Sequence, residues 1–277
     1  MGDLTAPIHW QAEAIWETVS PLLQSFSVEI LPEIDSTNTE LMRRAKAGQV
    51  EPILLVAEKQ TAGRGRLGRD WHDLATRAPT SVPALTFSLG MPLSPQDWSG
   101  LSLAVGVSVA QSLHPAIGLK WPNDLWLKER KLAGILIETA VFNGQRYAVI
   151  GIGINICAPA TILASSHNTT LRTPPAWLQE LWPNISAPEA LQRVVLALVQ
   201  TVLAFESYGF APFQARFNVL DVLRDRTVTL HDGKANLSDA ALTMGSAHGV
   251  NEHGALLVRT GHGMQVVSSS EVSVRPF

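Results

Sequence analysis

The segment from Gln60 to Trp71 holds the side chains best suited to binding an anion, because three arginines alternate there with three glycines. Arginine carries a permanently charged planar fork that matches the oxygens of a phosphate or a carboxylate. Glycine lets a ligand approach the main chain closely. The segment has no apolar period, so it contributes little to a core. Alone, it predicts either a solvated basic turn or an anion-binding loop.

A second polar group occurs in the sequence Lys120-Trp-Pro-Asn-Asp124. Proline in a strand-like segment indicates a break in the hydrogen-bond ladder. The break exposes Lys120, Asn123 and Asp124 between apolar residues that anchor it. An ordinary turn with an Asn-Asp pair has the same composition, so this motif alone leaves both interpretations open.

Together these groups suit chemistry by charge neutralisation and positioning. The cations Arg64, Arg66, Lys120 and Lys131 could surround phosphates, and Asp124 could hold Mg2+ or a ribose hydroxyl. The sequence contains no Gly-x-x-x-x-Gly-Lys-[Ser/Thr] motif, and the glycine-rich loop does not open a helix as a dinucleotide-binding loop does. Neither a Ser/His/Asp nor a Cys/His triad is suggested. Nucleotidyl or phosphoryl transfer is the reaction class that fits best.

Two shorter patterns could complete a site. Gly151 and Gly153 lie two apart in a predicted strand and therefore face the same way, which leaves a flat groove for a ligand. Such a pair also marks β-bulges. Asp35, Ser36 and Thr37 precede a predicted helix, and simple N-capping accounts for them when they are taken alone.

The elements that must position these groups alternate between helices and strands. Apolar periodicity predicts helices at 8–23, 37–47, 95–113, 177–181, 188–208 and 212–220. Strands are predicted at 27–32, 53–57, 83–90, 118–127, 131–138 and 147–156, with a hairpin turn at Asn143-Gly144. Short strands at 227–230, 240–244, 255–258 and 264–267 indicate a small antiparallel barrel. We therefore expect two domains, 1–222 and 223–277.

Composition limits the class of protein. The 277 residues carry a net charge of -3, which disfavours nucleic acid as a partner and favours a small anion at the basic loop. Cys157 is the only cysteine, and no signal peptide or uninterrupted apolar span is recognised. We expect a soluble, cytoplasmic protein. Four histidines (His231, His248, His253 and His262) lie in or beside predicted turns without metal-ligand spacing, and we expect them to be exposed to solvent.

Four motifs in order resemble the biotin–protein ligases, also called biotin–[acetyl-CoA-carboxylase] ligases. They are Gly63-Arg-Gly-Arg-Leu-Gly-Arg69, Lys120-Trp-Pro-Asn-Asp-Leu125, Lys131-Leu-Ala-Gly-Ile-Leu136 and Gly151-Ile-Gly-Ile-Asn155. The resemblance implies an α+β fold in which a mixed, mainly antiparallel sheet packs with helices, as in class II synthetases, followed by an SH3-like barrel. It covers about 30–155 closely and the rest in outline.

The resemblance also implies a reaction in two steps. Biotin and MgATP form biotinyl-5'-AMP and pyrophosphate, and a lysine of a biotin carboxyl carrier protein then attacks the adenylate. Lys131 and Arg66 take catalytic roles. Biotin is held by Ser36, Thr37, Asn38, Gln60, Arg64, Gly65, Arg66, Lys131, Gly134, Gly151 and Gly153. The nucleotide is held by Arg66, Arg69, Trp71, Lys120, Asn123, Asp124 and Asn155, and the metal by Asp124. The Gly/Arg loop is expected to be a lid that becomes ordered over the adenylate.

Two departures and two rivals accompany this resemblance. The strand after the loop begins Pro83-Ala-Leu-Thr where many members have a Gly-x-Asn-Leu-like sequence, so adenine contacts from this segment are not predicted. The DNA-binding N-terminal domain of repressor-type members has no counterpart, so we expect a ligase only, a monomer or homodimer that does not bind DNA. The rivals are a lipoate or octanoate ligase or transferase, and a nucleic-acid-binding regulator.

Overall fold

A seven-stranded sheet forms the centre of the molecule. The computed structural model describes residues 8–71, 82–158, 175–232, 243–268 and 272–276. The strands are β1 (Ser27–Leu31), β2 (Ile53–Ala57), β3 (Ala84–Pro92), β4 (Gly118–Lys120), β5 (Asp124–Leu127), β6 (Arg130–Phe142) and β7 (Gln145–Asn155). They lie in the order β1-β2-β3-β7-β6-β5-β4, and only the β1–β2 pair is parallel. This confirms the predicted mixed, mainly antiparallel sheet.

Helices cover both faces of this sheet. They are α1 (Ala12–Val19), α2 (Thr37–Lys46), α3 (Leu101–Leu113), α4 (Ala187–Tyr208) and α5 (Ala211–Leu220). The helices α1, α3 and α4 share the main core on one face, where Leu54, Phe87 and Ile150 are fully or almost fully buried. The amphipathic helix α2 packs alone on the other face, and its Leu41 meets Leu55 in a smaller cluster. A site beside α2 therefore has the sheet as its floor.

The helix α4 is long and apolar enough to cross a membrane by length and composition alone. Its apolar stripe, including Leu191, Val195 and Leu198, is buried in the main core against α3. This packing accounts for its hydropathy, as expected for a core helix of a globular protein.

The C-terminal residues form a second, five-stranded antiparallel sheet. Its strands are β8 (Thr227–Asp232), β9 (Thr243–Val250), β10 (Leu256–Thr260), β11 (Gly263–Val267) and β12 (Val272–Pro276), in the order β11-β10-β9-β8-β12. This agrees with the predicted small barrel domain. The predicted boundary between 222 and 223 stays a prediction, since β8 begins only at Thr227. Of the turn histidines, His253 and His262 are exposed and His248 is half-buried in β9; the side chain of His231 lies outside the described residues.

Several element boundaries were wrong in the prediction. The first helix begins at Ala12 rather than at residue 8, because Gln11 adopts a left-handed backbone (φ 52°). The third begins at Leu101, after Gly100 with φ 82°. The strand β9 extends to Val250 rather than ending at 244, because two strand glycines interrupt the apolar alternation that prediction relies on.

The two sheets meet beside the Lys120–Asp124 motif. The buried indole Nε1 of Trp121 donates a 3.0 Å hydrogen bond to the carbonyl of Gly254, in the turn before β10. Nearby, the backbone N–H of Val222 donates to the carbonyl of Leu119 at 2.9 Å. The turn before β10 in the C-terminal domain therefore packs against the motif, and the end of the first domain pairs with β4 beside it.

Asp221 is a buried carboxylate at this junction. Its Oδ1 accepts from the backbone N–H of Leu223 at 2.9 Å, while its Oδ2 is buried with no hydrogen-bond partner. Burial raises the pKa of Asp221 to about 6, against the opposing effects of the Leu223 N–H and Arg224 and with a minor contribution from Asp225. Ionisation of Asp221 is therefore less favourable in the folded state than in the unfolded chain.

We expect Asp221→Asn to flatten the dependence of unfolding free energy on pH. A raised carboxyl pKa stabilises the fold fully below the unfolded pKa of about 4, and that stability is lost as pH rises to about 6. The loss is on the order of 2–3 kcal/mol for a shift of about two units. Urea unfolding of parent and variant at pH 4 and pH 7 measures it. Equal pH slopes for the two proteins would contradict the assignment.

Candidate functional site

A pocket opens on the α2 face of the sheet, where glycines replace side chains on β6 and β7. Gly151 and Gly153 follow Tyr147 and Val149 on the same face of β7, just beyond the N-terminus of α2. A Cβ on Gly153 would lie 2.5 Å from the Trp71 ring, and one on Gly134 would lie 3.4 Å from it. The predicted flat groove therefore exists, and the Trp71 indole covers it.

Most of the predicted site residues line this one pocket. They are Ser36, Thr37, Asn38, Gln60, Arg64, Gly65, Arg66, Arg69, Trp71, Asn123, Asp124, Lys131, Gly134, Gly151 and Gly153. Ser36 and Gly153 are 117 positions apart in the chain, so these residues meet in one place only through the fold. Their individual roles stay predictions.

Two predicted nucleotide-binding residues lie elsewhere. The Lys120 ammonium lies 5.1 Å from the centre of the Trp126 ring, and Lys120 does not line the pocket. Asn155 ends β7, and its side-chain amide donates to the carbonyl of Lys131 at 3.4 Å. The position of Asn155 makes it a support for Lys131 in this structure. Neither residue lines the pocket, and their contacts with a nucleotide stay predictions.

One end of the pocket is lined mainly by uncharged hydrogen-bonding groups, beside the ion pair of Arg64 and Glu138. Ser36 caps α2 by accepting a hydrogen bond from Thr39, so its hydroxyl also has the structural role considered above. The backbone N–H of Thr37 donates to the side-chain oxygen of Gln60 at 2.8 Å. The hydroxyl of Ser88 lies 2.7 Å from both Thr37 Oγ1 and Asn38 Oδ1. Ser36, Thr37 and Asn38 lie at the start of α2, and these three residues and Ser88 are almost completely buried, whereas Gln60 is partly exposed.

The other end of the pocket carries charge. Lys131 Nζ lies 2.8 Å from Asp124 Oδ1 and 5.8 Å from the centre of the Trp71 ring. Arg66 donates to Asn123 Oδ1 at 3.3 Å. Burial lowers the pKa of Arg66, partly offset by the nearby Asp124, but a guanidinium remains protonated in any case. This end presents fixed positive charge to an anion.

Backbone hydrogen bonds within the Gly/Arg loop hold its two ends together. The N–H of Gly65 donates to the carbonyl of Arg69 at 2.7 Å, and the N–H of Trp71 donates to the carbonyl of Gly63 at 2.9 Å. The turn at Leu67 requires a left-handed backbone (φ 57°). As a result Arg64 and Arg66 point to different ends of the pocket. Ordering of this loop by a ligand stays a prediction.

Two supporting residues were missed in the sequence. Ser88 lies on β3 opposite Gly151, where it contacts Thr37 and Asn38. Glu138 follows Gly134 and Leu136 on the same face of β6. Glu138 bonds to both Asn38 and Arg64. The period of two along each strand could have identified both positions once the glycine face was assigned.

The pocket offers a metal ion one carboxylate, that of Asp124, rather than a group of several ligands. Across the parts of the chain that the structure describes, no three His, Cys, Asp or Glu side chains group as a metal site. Mg2+ commonly uses one or two protein carboxylates together with substrate phosphates and water. Asp124, at the cationic end, fits that modest requirement.

Comparison with known proteins gives consistent matches. Residues 30–155 match the model of the Biotin/lipoate A/B protein ligase family, and 237–275 match the Biotin protein ligase C terminal domain. The chain is 33% identical over 262 residues to the bifunctional ligase/repressor BirA of Escherichia coli, covering 91% of this chain and 75% of that protein. It is 29% identical to a biotin–[acetyl-CoA-carboxylase] ligase of Paracoccus denitrificans, covering 88% of this chain and 98% of that one.

Solved structures agree in fold. The biotin protein ligase of Aquifex aeolicus, in complex with biotin and ATP, superposes with a TM-score of 0.69 at 26% identity. The superposition covers 90% of this chain and 99% of that one. The architecture of a helix-covered mixed sheet with a small C-terminal domain is thus shared along nearly the whole of both chains.

Proposed function

Because the chain belongs to the biotin/lipoate A/B protein ligase family, we propose that its pocket activates biotin with ATP and passes the biotin to a lysine of a carrier protein. The product of the first step is biotinyl-5'-AMP, with release of pyrophosphate. The observation that supports this most strongly is the two-ended pocket. Its hydrogen-bonding end suits a cyclic urea, and its cationic end suits a carboxylate beside phosphates.

The polar end also discriminates between acids. The urea of biotin offers two N–H donors and one carbonyl acceptor to the hydroxyl and amide groups around Asn38 and Thr37. The dithiolane ring of lipoate would leave these groups unpaired, at a cost of about 1–3 kcal/mol for each buried group. Biotin is therefore favoured over lipoate as the substrate.

The cationic end can assist both chemical steps. In the first step a carboxylate oxygen of biotin bonds to the α-phosphorus, and the bond from that phosphorus to the pyrophosphate oxygen breaks. Lys131 and Arg66 neutralise charge on the transferring phosphate. Mg2+ bound to ATP would add further neutralisation, with Asp124 as its protein ligand. In the second step a neutral lysine amine bonds to the biotin carbonyl carbon, the bond to the AMP oxygen breaks, and the amine loses a proton.

The proposed biotin transfer also requires a carrier protein as a partner. Relatives of the chain are named as ligases of biotin to acetyl-CoA carboxylase, and the biotin carboxyl carrier protein or domain of such a carboxylase is the partner proposed here. The division into 1–222 and 223–277 is supported by the separate C-terminal family match at 237–275. A cytoplasmic location, a monomer or homodimer, and the lack of DNA binding stay predictions, the last of which a gel-shift assay would check.

The transfer step has a direct test. The enzyme is incubated with biotin and MgATP, freed of unbound nucleotide, and mixed with a biotin carboxyl carrier domain in the absence of ATP. We expect one biotin on the carrier by intact mass, and none on a carrier whose acceptor lysine is replaced by arginine. If the enzyme lost its bound adenylate and the carrier gained no biotin, the proposed transfer would be contradicted.

A further inference from the structure

Glu138 joins two parts of the site without lining the pocket itself. Its Oε2 accepts from Asn38 Nδ2 at 3.0 Å, and its Oε1 accepts from Arg64 Nη1 at 2.9 Å. Asn38 lies at the start of α2, Arg64 in the Gly/Arg loop, and Glu138 on the sheet floor. One carboxylate therefore connects three separate elements around one end of the pocket.

The first contact fixes which way the Asn38 amide faces. The Nδ2 group has two protons, and it donates them to the carbonyl of Leu136 and to Glu138. Neither an ionised carboxylate nor a carbonyl can donate in return, so the amide nitrogen must occupy this position. The Oδ1 atom accepts from Ser88 and retains a second lone pair. Asn38 consequently offers the ligand an acceptor, which suits an N–H group of a urea.

The second contact holds the loop across the pocket. Arg64 is the loop residue that reaches the polar end, and Glu138 is the acidic side chain to which it is paired. The Arg64 side chain is about half-exposed, with a relative accessibility of 51% against 21% for Glu138. Because the pair is formed without a ligand, the loop is already partly ordered, and binding costs less conformational entropy.

We propose that Glu138 is a positioning residue for biotin recognition, which latches the Gly/Arg loop through Arg64 and orients Asn38 toward the urea. The inference rests on the proposed function. It assigns loop closure at this end to a contact within the protein, independent of the phosphates. Biotin binding should therefore depend on Glu138, whereas ATP binding at the opposite end should not.

The test compares Glu138→Ala and Glu138→Gln with the parent. We expect Glu138→Ala to weaken biotin binding about tenfold or more by calorimetry, as loss of a charged hydrogen bond implies. Glu138→Gln keeps one acceptor oxygen and should fall between parent and Glu138→Ala. The KM for ATP in pyrophosphate exchange should stay within about twofold in both variants, since Arg66 and Lys131 are untouched.

A double-mutant cycle and a control variant distinguish a positioning role of Glu138 from general destabilisation of the protein. In a double-mutant cycle, Arg64→Ala should add little to the effect of Glu138→Ala, because each removes the same ion pair. The control is Glu129→Gln, which removes the negative charge from an exposed ion pair with Arg226. Its biotin Kd should equal that of the parent. An unchanged biotin Kd in Glu138→Ala, or equal losses of affinity for biotin and ATP, would overturn the proposed role of Glu138 and leave the proposed function standing. A parent that binds no biotin would overturn the proposed function as well.

Discussion

Replacing Lys131 with methionine is expected to lower the rate of biotin-dependent pyrophosphate exchange by about 100- to 1,000-fold, the usual effect of removing one preorganised charge from a transition state. The lysine ammonium lies 2.8 Å from Asp124 Oδ1, beside the glycine floor of the pocket. It is therefore close to where a carboxylate and an α-phosphate would meet. Methionine keeps most of the side-chain volume, so the change isolates the charge.

The control for this variant is Lys46→Met, which removes a lysine from the exposed last turn of α2. That protein should exchange pyrophosphate at the parental rate. Because the lysine is assigned to the transition state, the kcat of Lys131→Met should fall more than its KM for biotin rises. Exchange within about tenfold of the parent would remove Lys131 from the catalytic role, since one lost transition-state donor costs more than that.

Replacing Gly151 with alanine is expected to lower kcat/KM for biotin by about 100-fold, because the new methyl group would displace buried groups that specify the substrate. A Cβ at this position would overlap the side-chain amide of Asn38. The amide cannot move without losing its bonds to Ser88, Leu136 and Glu138. Loss of this network should also cost about 1–3 kcal/mol of unfolding free energy.

Gly261→Ala is the matched control, since a Cβ there meets no atom within 4 Å. Both variants should be assayed for exchange and for urea unfolding. An alanine at 151 that leaves the biotin KM unchanged would mean that the Asn38 end of the pocket does not hold biotin. An equal loss in Gly261→Ala would point to a general effect of the substitution instead.

The positions that sequence identified best were those whose chemistry is local. The strand period of two placed Gly151 and Gly153 on one face, and the capping chemistry of Ser36 marked the start of α2. The Gly/Arg loop stood out by composition alone. These signals depend on neighbours within a few residues, so they survive without knowledge of the fold.

Contacts between distant parts of the chain escaped prediction. Glu138 lies 74 positions from Arg64 and 100 from Asn38. The sequence around Arg64 or Asn38 contains no pattern that would identify Glu138, among all the glutamates, as the residue that binds them. For Lys120, likewise, the sequence motif does not reveal that the ammonium lies 5.1 Å from the centre of the Trp126 ring. Tertiary packing decides such positions, and only the assembled sheet reveals them.

The acid specificity of pyrophosphate exchange shows directly whether the pocket activates biotin. The parent enzyme is given MgATP and labelled pyrophosphate with biotin, with lipoate, or with neither acid. We expect rapid formation of labelled ATP with biotin, and background rates with lipoate and without acid. Exchange with lipoate but not with biotin would contradict the assignment of the polar end to a urea, and exchange without any acid would contradict adenylate formation in this pocket.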